Sequence, residues 1–171
     1  VSVTFGTDFT GSVTGKIEYG AHSRVTSNDW KNKAKLTIAN GNFDTTFVDS
    51  NNNDGVAPED FNITITGGTF TSDVSAYVPD RYIYNSETKT VEPLGETNAV
   101  AKVGDTYYKT LADAVAAAPT NGTETTITLL NNVVFTGHIN INDGKNIILD
   151  LNGHDIVSTD AEVFDVYHSK F

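Results

Sequence analysis

The sequence contains no cysteine and no methionine among its 171 residues. Without cysteine, the chain cannot form a disulfide framework, a zinc–thiolate site or a cysteine nucleophile. It also has no apolar run that approaches the ~18 residues needed to span a bilayer as a helix. These absences exclude several classes of protein. They leave the compartment open, because both cytosolic and secreted bacterial proteins can lack cysteine.

Basic residues are also scarce: 11 lysines and arginines stand against 22 aspartates and glutamates, giving a net charge of −11. An acidic surface repels phosphate backbones and anionic membrane surfaces, so we expect no nucleic-acid partner and no membrane insertion. The chain is rich in Thr, Asn, Asp, Gly and Val. This composition is typical of all-β extracellular proteins.

Two segments of the sequence share one pattern, Leu36–Phe43 and Ile63–Phe70, and they begin 27 residues apart. Each alternates apolar and polar residues and then enters a glycine-containing turn, which predicts strands and not helices. Repetition at such a spacing favours a solenoid, in which each coil of chain stacks on the one before.

The only convincing helix follows a predicted hairpin over Val100–Lys109, whose strands flank Gly104 and Asp105. Thr110 and Asp113 have the spacing of a capping box. Apolar residues at 111, 114, 115 and 118 then form one helical face, and Pro119 ends the pattern. We expect this helix to cover the open end of a solenoid, because the core would otherwise meet water.

Short predicted strands then follow one another over 126–130, 133–135, 138–141, 145–151 and 155–157, separated by polar turns. Such a series can form a sandwich, a barrel or a β-helix, and the 27-residue repeat favours the β-helix. We therefore predict a mainly β chain, a parallel β-helix with one short amphipathic capping helix near 110–118. Residues 1–95 would end one β-helical unit, and residues 99–171 would begin a second with the hairpin, the helix and its first coils.

Several segments resemble β-helix modules in cell-surface proteins of Gram-positive gut bacteria. Those that carry the likeness are Ile63–Phe70, Ser72–Tyr77, Val100–Tyr108, Leu111–Ala118, Ile127–Leu130 and Asn146–Gly153. The likeness covers most of 36–157. It implies right-handed coils in a secreted or wall-attached protein, with any signal and anchor outside this chain. Some surface proteins of gut commensals bind host molecules, including immunoglobulins, but the resemblance supplies no binding residues.

One acidic loop is a candidate calcium site. Asp49, Asn51, Asn53 and Asp60 place oxygen ligands at positions 1, 3, 5 and 12 of a calcium-binding loop. Position 6 is Asp54 in place of the usual glycine, and Asp60 is shorter than the usual glutamate. The alternative is an Asn/Asp-rich turn between coils. We therefore expect no cofactor, with calcium as the one candidate.

Asp150, His154 and Asp155 surround a turn and suggest a pair of hydrolase carboxylates. Strand alternation argues against this role, because Leu149 and Leu151 share one face and Asp150 lies on the other. A solvated outer face explains the same residues.

Aromatic side chains are the main candidates for binding, since Tyr and Trp are enriched at interface hot spots. The five we select as exposed candidates are Tyr19, Trp30, Tyr82, Tyr84 and Tyr107. The alternative is that these rings simply pack. We predict a non-catalytic binding module that recognises a host protein, such as an immunoglobulin, or a glycan. A carbohydrate-active enzyme (a lyase or hydrolase on a β-helix) and a spacer that binds nothing are the competing hypotheses.

Overall fold

The computed structural model describes residues 2–19, 35–49, 62–160 and 162–171. Strands account for 48% of the described residues, which contain one α-helix, so the predicted mainly β class is confirmed. The chain divides into two compact units, Val1–Pro93 and Leu94–Phe171, called unit 1 and unit 2 below.

Unit 1 is built from parallel strands and ends in an antiparallel hairpin. Its strands are β1 (Ser2–Phe5), β2 (Ser12–Tyr19), β3 (Lys35–Ile38), β4 (Asn42–Asp49), β5 (Asn62–Ile65), β6 (Gly68–Phe70), β7 (Tyr82–Asn85) and β8 (Thr90–Pro93). Strands β1, β3 and β5 form one parallel sheet. The second sheet has the order β2-β4-β6-β8-β7, in which β2, β4 and β6 are parallel and β8 is antiparallel to both neighbours.

The 27-residue repeat corresponds to direct strand pairing. Leu36 lies beside Ile63 in the β3–β5 pair, and Phe43 lies beside Phe70 in the β4–β6 pair. Because the register matches the repeat, equivalent apolar residues stack inside the unit: the rings of Phe43 and Phe70 lie 5.1 Å apart and nearly parallel. Both phenylalanines are buried.

The turn that joins β5 to β6 needs glycine for a steric reason. A Cβ atom on Gly67 would overlap the carbonyl oxygen of Ala39 in the neighbouring turn. Gly68 has a φ of 105°, which side-chain-bearing residues rarely adopt. The glycine pair therefore lets two successive turns of the chain approach closely.

Unit 2 contains the helix and eight strands. Its elements are β9 (Ala101–Val103), β10 (Thr106–Tyr108), α1 (Leu111–Ala117), β11 (Glu124–Leu129), β12 (Val133–Phe135), β13 (Ile139–Ile141), β14 (Asn146–Asp150), β15 (Ile156–Ser158) and β16 (Phe164–Val166). Strand β16 has no counterpart among the predicted strands. Three parallel pairs, β11–β14, β12–β15 and β13–β16, join partners 22, 23 and 25 residues apart. The antiparallel hairpin β9–β10 extends the first pair into a sheet of order β10-β9-β11-β14.

Helix α1 forms where the sequence predicts it. The Thr110 hydroxyl accepts a hydrogen bond from the Asp113 backbone N–H (3.0 Å) and donates one to the Asp113 carboxylate (2.6 Å). The predicted apolar face is buried in the core of unit 2. The other end of the helix is held by a buried lysine: the Lys145 ammonium donates to the carbonyl oxygens of Ala116 (3.3 Å) and Ala118 (2.7 Å).

Asparagine side chains join turns that are far apart in sequence. The Asn40 amide donates to the Thr7 carbonyl, 33 residues earlier. In unit 2, Asn131 donates to the Ala99 carbonyl, 32 residues earlier, and Asn152 donates to that of Leu129, 23 residues earlier. These bonds satisfy carbonyl groups at the turns, where the strand ladders end.

Candidate functional site

The outer face of the four-stranded sheet in unit 2 places four side chains in one row across the strands. Tyr107 on β10 lies beside Lys102 on β9, Lys102 lies beside Thr128 on β11, and Thr128 lies beside Asp150 on β14. We call this set the outer row. With about 4.8 Å between neighbouring strands, three spacings give it a length of roughly 14 Å.

Strand alternation explains why the row faces away from the core. The residues next to the row on β9 and β11, Ala101 and Leu129, are fully buried, and Tyr108 packs against the same core. Side chains one position away along a strand point to the opposite face. The outer row therefore presents an aromatic ring, an ammonium, a hydroxyl and a carboxylate on one surface.

The charges of the outer row are held by local contacts. Lys102 lies 3.7 Å from the Glu96 carboxylate in an ion pair in which the Glu96 side chain is largely accessible to solvent and the Lys102 side chain is one-third exposed. Asp150 accepts a hydrogen bond from the Asn152 backbone N–H (2.9 Å), which fixes the turn after β14. These contacts orient both side chains while leaving the Asp150 carboxylate exposed.

Next to the row on the same face, Thr126 lies beside Ile148. Both are exposed, and Ile148 leaves 45% of its surface in water. This face thus combines a half-buried tyrosine, threonine hydroxyls and one apolar side chain. Such a mixture suits contact with an extended ligand that offers both polar groups and apolar surface.

Two other aromatic candidates, Tyr82 and Tyr84 in unit 1, lie in different surroundings from Tyr107. Tyr82 and Tyr84 are half-buried and pack against the core. Tyr84 lies opposite the buried Val91 on the neighbouring strand. Its hydroxyl donates a long hydrogen bond to the Phe70 carbonyl (3.5 Å). These two rings contribute to packing, in contrast to Tyr107 in the outer row.

The candidate calcium loop lies mainly outside the described residues. Asp49 is the last residue of β4 and pairs with Tyr19, the last residue of β2. Their side chains, together with Trp30, Asn51, Asn53 and Asp60, are not described. The calcium site therefore stays a prediction, and so does any role for Tyr19 or Trp30. Within the part of the chain that the structure describes, no three His, Asp or Glu side chains form a metal-binding group.

The residues around the turn at 152–153 have structural contacts. Asp155 donates its backbone N–H to the side-chain oxygen of Asn132 (3.0 Å), and His154 donates its backbone N–H to the Leu151 carbonyl (2.8 Å). Asp150 belongs to the outer face, as strand alternation predicts.

Sequence reasoning selected Tyr107 and placed Asp150 on an outer face, but it did not bring the members of the row together. Lys102, Thr128 and Asp150 belong to three other strands, and only the register brings them beside it. The predicted hairpin indicated that Lys102 lies across from Tyr107. No local signal indicated that β9 would also pair with β11.

Comparison of the chain with protein-family models, with curated proteins and with solved structures finds no match. Among the described residues, no helix has the length and apolar character needed to cross a membrane.

Proposed function

We propose that both units are parts of right-handed parallel β-helices. Three features support this architecture. The strands pair in parallel with partners 22 to 33 residues apart, and equivalent apolar residues stack inside each unit. Asparagine bonds between successive turns, 23 to 33 residues apart in sequence, are a third. The handedness follows the resemblance to bacterial surface modules.

We further propose that the chain is a non-catalytic binding module of a secreted or wall-attached bacterial protein. The observation that carries the proposal is the outer row, which places a half-buried Tyr107 among polar side chains on the sheet face that points away from the core. Tyrosine supplies a large contact area with little loss of side-chain freedom on binding. The partner would be an extracellular host protein, such as an immunoglobulin, or a glycan.

The proposal is tested by capture of ligands from host material. The immobilised chain is exposed to serum and to intestinal secretions, each intact and deglycosylated, and retained molecules are identified by mass spectrometry. Tyr107→Ala is compared with Tyr167→Ala, which removes an exposed tyrosine of unit 2 outside the row. We expect Tyr107→Ala to weaken retention at least tenfold, as for an interface hot spot, and Tyr167→Ala to leave it unchanged.

The outcomes separate the competing functions. One protein retained from both the intact and the deglycosylated samples indicates protein recognition, and retention from intact samples alone indicates a glycan. In the second case, incubation with that glycan and measurement of new reducing ends or unsaturated products tests the enzyme hypothesis. If nothing is retained, the spacer hypothesis is favoured. If a ligand is retained and Tyr107→Ala has no effect, the outer row is not the binding site.

A further inference from the structure

Unit 2 has a surface cavity of about 390 Å³ near the start of β14. Three segments of the chain, around Gly122, Gly144 and His168, form its wall. The Gly122 N–H donates to the Gly144 carbonyl (3.0 Å), and the Gly144 N–H donates to the His168 carbonyl (3.1 Å). All three residues have positive φ, at 79°, 77° and 51°, so the same corner recurs three times. The last segment then pairs with β14 through a parallel bridge between Lys170 and Asn146.

The residues that line this cavity are cationic or neutral, although the unit is acidic. Unit 2 contains four lysines, Lys102, Lys109, Lys145 and Lys170, and no arginine. Two of them, Lys145 and Lys170, line the cavity together with His168, and no Asp or Glu does. Ten acidic residues are present elsewhere in the unit (94–171). The cavity is therefore a local positive site on a negative protein.

Lys145 is the most unusual of these residues, because it is only 7% exposed. Buried lysines are rare unless they are paired with an opposite charge. The ammonium of Lys145 donates to two helix carbonyls, but it makes no ion pair with any Asp or Glu among the described residues. An ammonium has three N–H donors, so one remains for a further acceptor.

Two further groups in the lining can contribute donors. Lys170 makes no ion pair with the described residues, and its side chain is free to move because the residue is exposed. The backbone N–H of Ser169 has no hydrogen-bond partner among the described residues. Two ammonium groups and an amide donor are what an oxygen-rich anion requires.

We propose that this cavity binds a small oxyanion, such as sulfate, phosphate or a carboxylate. The anion supplies the negative charge that Lys145 lacks, and Lys170 and the Ser169 N–H complete its coordination. The same chemistry can come from a free inorganic ion or from the carboxylate of an acidic sugar. The inference does not depend on the outer row, which lies at the opposite end of β14 from the Asn146–Lys170 bridge.

The test is a two-dimensional NMR titration of the whole chain, at constant ionic strength maintained with sodium chloride. The titrants are sodium sulfate, sodium glucuronate and glucose. We expect saturable shifts in the amides of Gly144, Asn146, Ser169 and Lys170 with sulfate. Lys170→Gln removes one charge from the cavity and should weaken sulfate binding about tenfold. Lys109→Gln removes a lysine of unit 2 that lies outside both the cavity lining and the outer row, and it should leave the affinity unchanged.

The arms of the titration distinguish the two sources of the anion. Sulfate binding without glucuronate binding assigns a free inorganic ion. Glucuronate binding with no response to glucose assigns the carboxylate of an acidic sugar. Shifts that do not saturate, or a sulfate affinity equal in the wild-type chain and in Lys170→Gln, would overturn the proposal. The spectrum of Lys170→Gln away from the cavity verifies that this exposed substitution leaves the fold intact.

Discussion

In each unit, an antiparallel hairpin pairs with the edge strand of a parallel sheet. The two units differ in the helical element that each adds. Hairpin β7–β8 pairs antiparallel with β6 in unit 1, and hairpin β9–β10 pairs antiparallel with β11 in unit 2. Unit 1 adds a 3₁₀ turn (Ser75–Tyr77) flanked by the buried Val74 and Val78, whereas unit 2 adds α1. An edge strand has unpaired N–H and C=O groups, and only another strand can pair with them in register. The core beside it needs only apolar side chains to exclude water, and these can come from a 3₁₀ turn or from an α-helix.

The cores differ as well. Unit 1 buries Phe43 and Phe70 and surrounds them with further rings, among them Phe5 and Phe9. The fully buried side chains of unit 2 are aliphatic, such as Leu129. A few rings fill the space in one unit that many smaller side chains fill in the other, so the loss of one ring should leave a larger cavity.

The largest expected effect is therefore in the aromatic core. Phe43→Ala should lower the free energy of unfolding of unit 1 by about 3–5 kcal/mol, because the ring is buried and contacts three other phenylalanines. Hydrogen exchange of the amides in β3 to β5 would report it. Ile127→Val in unit 2 is the comparison, with an expected loss of roughly 0.5–1.5 kcal/mol measured in β11 and β14. Because Phe43→Ala removes a whole ring and Ile127→Val removes only one methylene, equal losses would mean that the aliphatic core tolerates truncation less well than the aromatic core.

A smaller effect is expected at the turn between β5 and β6. Gly67→Ala should cost about 1–3 kcal/mol, because the new Cβ meets backbone that cannot rotate away. Gly6→Ala in the same unit is the matched control, since a Cβ there meets nothing within 4 Å and φ is not positive. Thermal unfolding of both variants measures the difference. Similar melting temperatures would show that the two successive turns separate easily.

The start of helix α1, the element that unit 2 adds, depends on its N-cap residue. Thr110→Ala should lower the stability of unit 2 by about 1 kcal/mol, because it removes the N-cap acceptor of α1. Thr110→Ser keeps the hydroxyl and should recover most of the loss in denaturant unfolding. If Ser fails to rescue, the methyl group of Thr110, and not its hydroxyl, holds the start of the helix.

The smallest effect is the pH dependence of the 3₁₀ turn in unit 1. The backbone N–H of Ser75 donates to Asp73 (2.9 Å) and, with the Ser75 hydroxyl and the charge of Lys89, holds the pKa of the Asp73 carboxyl below its usual value. A lowered folded-state pKa contributes stability that is present above the unfolded value, near pH 4, and is lost as the pH falls through the folded value.

Because Asp73 is exposed, water screens this contribution and the change should be slight. Melting temperatures between pH 5 and pH 3 measure it, with Asp73→Asn as the variant that should flatten the acid side of the curve. An Asp73 carboxyl that titrates at or above its ordinary pKa in an NMR experiment would contradict the assignment.

Several elements could be predicted because their signals are local or periodic. The Gly104–Asp105 hairpin, the Thr110–Asp113 cap and the apolar face of α1 each depend on residues within one turn of chain. The 27-residue repeat indicated that two strands share a register, and the structure shows that these strands, β3 and β5, are adjacent. Strand β16 (Phe164–Val166) pairs with β13, whose residues lie 25 positions earlier, and no local pattern indicates that pairing.

The sequence by itself thus determined the mainly β class, the hairpin before the helix and the helix with its cap, since short-range sterics and hydrogen bonds decide those features. Only the tertiary structure decided the row that joins Tyr107 to Asp150 and the burial of Lys145 beneath the end of α1. Both depend on which strands become neighbours. That choice is made by packing between residues more than twenty positions apart, where no local propensity acts.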